Sequence, residues 1–243
     1  MSKSDRREIL GRVAAGTISP EEAAAQLDGL ADEPSTGAVE RVRIERQFGS
    51  VDIVGDPTVR EAVAEGPHRA RIDGDVMVIE SDPDDGSGGF AFGFAVGRPF
   101  GIGIEKLVVR MNPNLALDLE LQAGSCRVRG VTGPIKAEVQ AGSATIDGFQ
   151  SPLTLSVQAG SVRANGCLRE GSSTITCEAG SVGLHLERGS SVRITADSAL
   201  GKVSLPGTDT GKGRSNREAV VGDGLAVLRI HTSMGSVNVS ADA

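Results

Sequence analysis

Aromatic side chains are almost missing. Among 243 residues there is no Trp and no Tyr, and the aromatic share is 2 %. The flat ring faces on which sugars and unpaired bases usually stack are therefore scarce. Long apolar runs are missing too. No stretch of about 18 apolar residues occurs, so the sequence offers no candidate membrane-crossing helix. The first residues, Met1 to Arg12, are charged and lack the apolar centre of a secretory signal. The expected placement is cytoplasmic, with the inner face of the cell membrane as the alternative. Positive charge is in deficit: the net charge is −7, which sets nucleic acid and anionic lipid aside as general partners. Cysteine is rare, and Cys126, Cys167 and Cys177 have neither metal-ligand nor redox spacing. They read as small buried hydrophobes in a reducing compartment.

What is abundant is glycine, at 33 residues, close to twice the usual share of about 7 %. Its placement is periodic. Gln122-Ala123-Gly124-Ser125 returns at Gln140–Ser143, at Gln158–Ser161 and, with Glu in place of Gln, at Glu178–Ser181, in steps of 18, 18 and 20 residues. Similarity at a short fixed period marks a solenoid whose repeats bury one another. Before each phrase apolar residues alternate: Leu117, Leu119, Leu121; Ile135, Ala137, Val139; Leu153, Leu155, Val157; Ile175, Cys177. Period two means a strand with one buried face. After the Gly corner a second alternation follows, as in Cys126 and Val128 or Ala144 and Ile146. Strand, corner, strand and corner in 18–20 residues leave no room for a helix. The expected fold is mainly β, a single-stranded parallel β-helix (β-solenoid). Cys126 aligns with Ala144, Val162 and Val182; Cys177 with Leu121, Val139 and Val157; Cys167 with Val131 and Phe149.

The first thirty residues differ. Ile9, Leu10 and Val13 share one face of a short helix ending at Gly16. Ser19-Pro20-Glu21-Glu22 then supplies a cap, a first-turn proline and an acid three residues on. Leu27 and Leu30 fall on the apolar face of that second helix. Residues 1–30 thus read as a small α-helical hairpin, either capping the solenoid or serving as a docking or dimerising element. Residues 31–37 are a polar linker, and 38–243 form the solenoid. There, Gln47–Gly55 matches Gln122–Gly130, and Leu200–Leu205 matches Met234–Val239. Eight to ten coils are expected, interrupted by loop insertions near 82–104 and 207–222. The first insertion holds Phe90, Phe92, Phe94 and Phe100, four of the six Phe, and these need an apolar surface. That surface is either the protein's own stack or a partner. A protein partner or self-association through the hairpin and this loop is the expected mode, and a peripheral membrane contact is less favoured.

Candidate chemistry is thin. Gly207–Gly213 is one residue short of a phosphate loop and no helix follows. Gly86-Ser87-Gly88-Gly89 lacks the strand–helix context of a dinucleotide site. Asp82-Pro83-Asp84-Asp85-Gly86 fails the calcium-loop pattern at its later positions. His68, His185 and His231 are far apart in sequence. Asp52, Glu120, Glu138 and Glu178 could bring acids together by stacking, but Glu120 and Glu138 read better as a solvent-facing ladder beside Arg127, Arg129 and Arg163. Gln122, Gln140 and Gln158 could form an amide ladder or simply a polar face. No catalytic, cofactor or metal residue is assigned, and no enzymatic activity is expected.

The run Ile9-Leu10…Gly16…Ile18-Ser19-Pro20-Glu21-Glu22-Ala23…Leu27, joined to a repeated Gly-Ser solenoid and closed by Leu228–Val237, resembles the bacterial "putative adhesin" domain family. That resemblance spans nearly the whole chain. It implies a cell-envelope protein, linked in some Gram-positive bacteria to envelope stress, and carries no catalytic residues over. The functional expectation is a non-enzymatic scaffold, sensor or interaction protein. The alternative is a self-assembling solenoid that resembles bactofilins and stacks end to end.

Overall fold

Alternating sequence becomes alternating burial. In β7 (Ile135–Phe149), Ile135, Ala137, Val139, Ala144, Ile146 and Phe149 are buried while Lys136, Glu138 and Gln140 are exposed. The structure, a computed structural model, describes residues 38–81, 106–207 and 216–242. The expected hairpin residues Ile9, Leu10, Val13, Leu27 and Leu30, and Phe90, Phe92, Phe94 and Phe100 of the insertion, lie outside the described residues.

Besides β7, the strands are β1 (Arg41–Gly55), β2 (Ala62–Glu65), β3 (Arg69–Asp73), β4 (Val76–Glu80), β5 (Lys106–Met111), β6 (Ala116–Arg129), β8 (Leu153–Gly166), β9 (Ser172–Leu186), β10 (Val192–Ser204), β11 (Asn216–Val221) and β12 (Ala226–Ala241). They form one mostly parallel sheet of β-helix-like character, ordered β11-β10-β12-β9-β8-β7-β6-β1-β4-β3. The second half of β1 pairs with β5 instead of β4. Each long strand skips one pairing at the Gln or Glu position before its corner and then resumes in the same register, so one strand supplies both arms of a coil.

Corners stack on corners. Gly124 pairs with Gly49 and Gly142, Gly142 with Gly160, Gly160 with Gly180, Gly180 with Gly235, and Gly235 with Gly201. Gly142 has φ +140°, and a Cβ placed there would lie 1.7 Å from the carbonyl oxygen of Gly124. No side chain fits, which is why the phrase keeps Gly at this position. The aligned ladders Leu121–Val139–Val157–Cys177 and Cys126–Ala144–Val162–Val182 are buried as the periodicity requires.

Three features depart from the simple repeat. Stacking does not follow chain order: β12 lies between β9 and β10, parallel to both. Residues 216–221, expected within a loop insertion, form β11, antiparallel to β10. Finally, Cys167 is only half-buried. The pairing of β7 with β8 slips at Gly148, so Phe149 faces Gly166. The buried position after the slip falls to Leu168.

Candidate interaction groove

One outward column on the arm before the Gly corner is acidic. Glu45 pairs in register with Glu80 on one side and with Glu120 on the other, and Glu120 pairs with Glu138. Parallel pairing of equivalent positions makes this a row of four carboxylates at strand spacing, about 4.8 Å. Two residues closer to the corner stand Gln47, Gln122, Gln140 and Gln158. Both rows line one groove of about 490 Å³, with Arg46, Ser81 and Ser156 completing its polar wall. Its shape follows from β4, β1, β6, β7 and β8 lying side by side.

Like charges in adjacent strands repel. Two carboxylates about 5 Å apart cost roughly 0.8 kcal/mol even in water, so the row favours whatever brings positive charge. Part of that charge is internal. Arg71 pairs with Glu80, and Lys136 reaches Glu138 at 2.8 Å. The hydrogen bond to Glu138 and the charge of Asp118 hold the Lys136 amine above its ordinary pKa. Among the described residues Glu45 and Glu120 have no ion pair. Arg46 occupies the position equivalent to Leu121 and is only 7 % exposed. Its Nε–H donates to the Phe48 carbonyl at 2.8 Å.

The arm after the corner is arranged differently. Asp52, 8 % exposed, accepts 3.0 Å hydrogen bonds from Arg129 on both oxygens and a 3.0 Å contact from Lys106. Burial pushes its pKa up, but the bonds from Lys106 and Arg129 outweigh burial and leave it below the ordinary value. Arg127 and Arg163 are exposed on this arm, with no ion pair among the described residues. Burial raises the Cys126 thiol to about 11, and burial followed by the Glu178 charge raises that of Cys177.

Stacking therefore brings Glu120 and Glu138 together but separates them from Asp52, which sits on the other arm, and from Glu178, which stands in the Gln column. The arginines expected beside the Glu ladder lie across the corner, and Arg129 serves Asp52. No hydrogen bond joins Gln122, Gln140 and Gln158, so the amide-ladder expectation fails and the polar-face alternative holds. Glu45 was within reach of the sequence, since Gln47–Gly55 aligns with Gln122–Gly130. Glu80 was not, because no corner phrase follows it. His231 pairs with Asp197, and His185 contacts Ser240 at 3.0 Å and Asp242 at 3.2 Å. Among the described residues no three His, Cys, Asp or Glu side chains converge on a metal position. What the groove can do chemically is attract cations along its length and exchange hydrogen bonds through its free amides.

Among solved structures, the chain is similar to a "putative cell adhesion protein" from Clostridium sporogenes ATCC 15579, at 15 % identity and TM-score 0.45, over 86 % of this chain and 95 % of that one. It is also similar to a "putative adhesin" from Bacteroides fragilis NCTC 9343, at 11 % identity and TM-score 0.25, over 85 % and 94 %. No family model and no curated protein matches the sequence.

Proposed function

We propose that this protein is a non-enzymatic interaction scaffold whose contact face is the Glu/Gln groove, and that it takes an extended, positively charged segment of a protein partner. The supporting observation is repetition: Glu80, Glu45, Glu120 and Glu138 present one group four times at strand spacing. Repeated identical contacts suit an extended ligand read along its length. Association with the bacterial cell envelope or its stress response belongs to this reading and rests on the sequence resemblance. End-to-end polymerisation in the manner of bactofilins is less well supported. Antiparallel β2 and β3 cover β5 and β4 at one end of the parallel stack, and antiparallel β11 covers the arm of β10 before the corner, Val192 to Asp197, at the other. A bare parallel edge is what such growth would use.

Fluorescence anisotropy with labelled hexalysine and hexaglutamate tests the reading. Hexalysine should bind at low salt, weaken as salt rises, and lose at least about tenfold in affinity, about 1.4 kcal/mol, in Glu45→Gln/Glu120→Gln. Equal binding of both peptides, or no effect of the double substitution, would remove the groove as the contact face.

A further inference from the structure

The arm after the corner carries two arginines that no acid claims. Arg127 of β6, Thr145 of β7 and Arg163 of β8 stand in register. Their sequence neighbours Cys126, Ala144 and Val162 are buried, so all three side chains point outward. The arginines are therefore two strand spacings apart, about 9.6 Å, with Thr145 between them. Two residues nearer the corner, Ser143 and Ser161 stand in register on the same face.

Nearby acids are committed or set apart. Asp52 of β1 is the register neighbour of Arg127, but Arg129 binds both its oxygens and Lys106 adds a third contact. Asp147 stands two residues beyond Thr145, in register with Arg129, and forms no ion pair among the described residues. On the far side of Arg163 the register neighbour is Gly183 of β9. A Cβ built there would lie 3.8 Å from the Val162 oxygen, its nearest neighbour, so nothing crowds the arginine from that side. Lys106, Arg127, Arg129 and Arg163 against Asp52 and Asp147 leave this patch two charges positive, in a chain whose net charge is −7.

We infer that Arg127 and Arg163 clasp one tetrahedral oxyanion, a phosphate or sulfate group, above Thr145. A guanidinium presents paired donors that match two oxygens of such a group. Two guanidiniums arriving from opposite sides engage it from both flanks, and the hydroxyls of Thr145, Ser143 and Ser161 donate from below. A carboxylate has two oxygens in one plane and satisfies only one of the arginines, so the tetrahedral group is the better fit. The negative net charge and the acidic groove across the corner repel an anionic bilayer, so the group arrives on a soluble molecule. This site lies on the arm opposite the groove and does not depend on the groove's ligand.

Amide chemical-shift titration of the full chain with sodium phosphate, sulfate and acetate at constant ionic strength decides it. Phosphate and sulfate should move Arg127, Ser143 to Thr145, Ser161 to Arg163 and Gly183, with a Kd on the order of 1 mM, and acetate should bind at least about tenfold more weakly. Arg127→Gln/Arg163→Gln should weaken phosphate at least about tenfold with the melting temperature unchanged, since both side chains are exposed. Arg127→Lys/Arg163→Lys keeps the charge without the forked donors and should fall between. Arg41→Gln/Arg193→Gln removes the same charge elsewhere and should bind like the wild type. Equal binding of acetate, shifts centred on other residues, or equal weakening by the Arg41/Arg193 control would overturn the inference. Co-sedimentation with phosphatidylglycerol vesicles that needs Arg127 and Arg163, without any response to phosphate, would overturn the soluble ligand.

Discussion

Replacing Gly142 with Ala isolates the contact that lets the coils stack. The residue sits at φ +140°, and the new Cβ would lie 1.7 Å from the Gly124 oxygen and 2.8 Å from its carbonyl carbon. Holding a non-glycine residue in that backbone region costs about 1–3 kcal/mol. The clash falls on backbone, so no rotamer relieves it, and overpacking adds about 1–3 kcal/mol. Together these give roughly 2–6 kcal/mol, against a total stability of about 5–15 kcal/mol for a typical domain. The control is Gly74→Ala. Gly74 has φ +66° with nothing within 4 Å of a built Cβ, so only the left-handed backbone term of about 1–2 kcal/mol applies. Urea midpoints read the difference: Gly74→Ala should lie modestly below the wild type, and Gly142→Ala well below Gly74→Ala. Equal midpoints for the two variants would refute the argument that close carbonyl–glycine stacking fixes the corner.

Three further outcomes are expected. Val157→Asp places a charge at a site 1 % exposed between Val139 and Cys177 and should cost several kcal/mol, about 3–5, whereas Gln158→Ala should change the melting temperature little. The depressed carboxyl of Asp52 contributes stability above the ordinary carboxylate pKa of about 3.9 and loses it as pH falls through the lower folded value. Asp52→Asn should therefore be less stable at neutral pH and show a flatter decline below about pH 4 in denaturant titrations. A thiol reagent at mild alkaline pH should modify Cys167 first in the native protein, leaving buried Cys126 and Cys177 until unfolding, as mass spectrometry of the labelled peptides would show.

Where the repeat is regular, the fold was legible. The Gln-Ala-Gly-Ser phrase carries register with it, so the Val139 and Ala144 ladders and the pairing of Phe48 with Ala123 could be read directly. Stacking order was not legible. Leu200-Gly201 and Met234-Gly235 are equally good corners, and nothing local says that the later one slides between β9 and β10. Cys167 was misplaced because one extra residue at Gly148 shifts the inside–outside parity that alignment alone preserves. The groove was half visible. Glu120 and Glu138 were placed as a ladder, but the arginines were wrongly set beside it, since the bend at Gly124 puts Arg127 and Arg129, three and five positions later, on another arm. Glu80 joins through β4, a strand whose following corner phrase is replaced by a long insertion.

The measurement that bears most directly on the groove is amide chemical-shift mapping with unlabelled hexalysine at low salt. Perturbations should be confined to Glu45–Gln47, Glu120–Gln122, Glu138–Gln140 and Ser156–Gln158, leaving the opposite arm from Arg127 to Arg129 unmoved. Shifts spread evenly over the surface, centred on the Asp52 arm, or absent would contradict the groove as the interaction site.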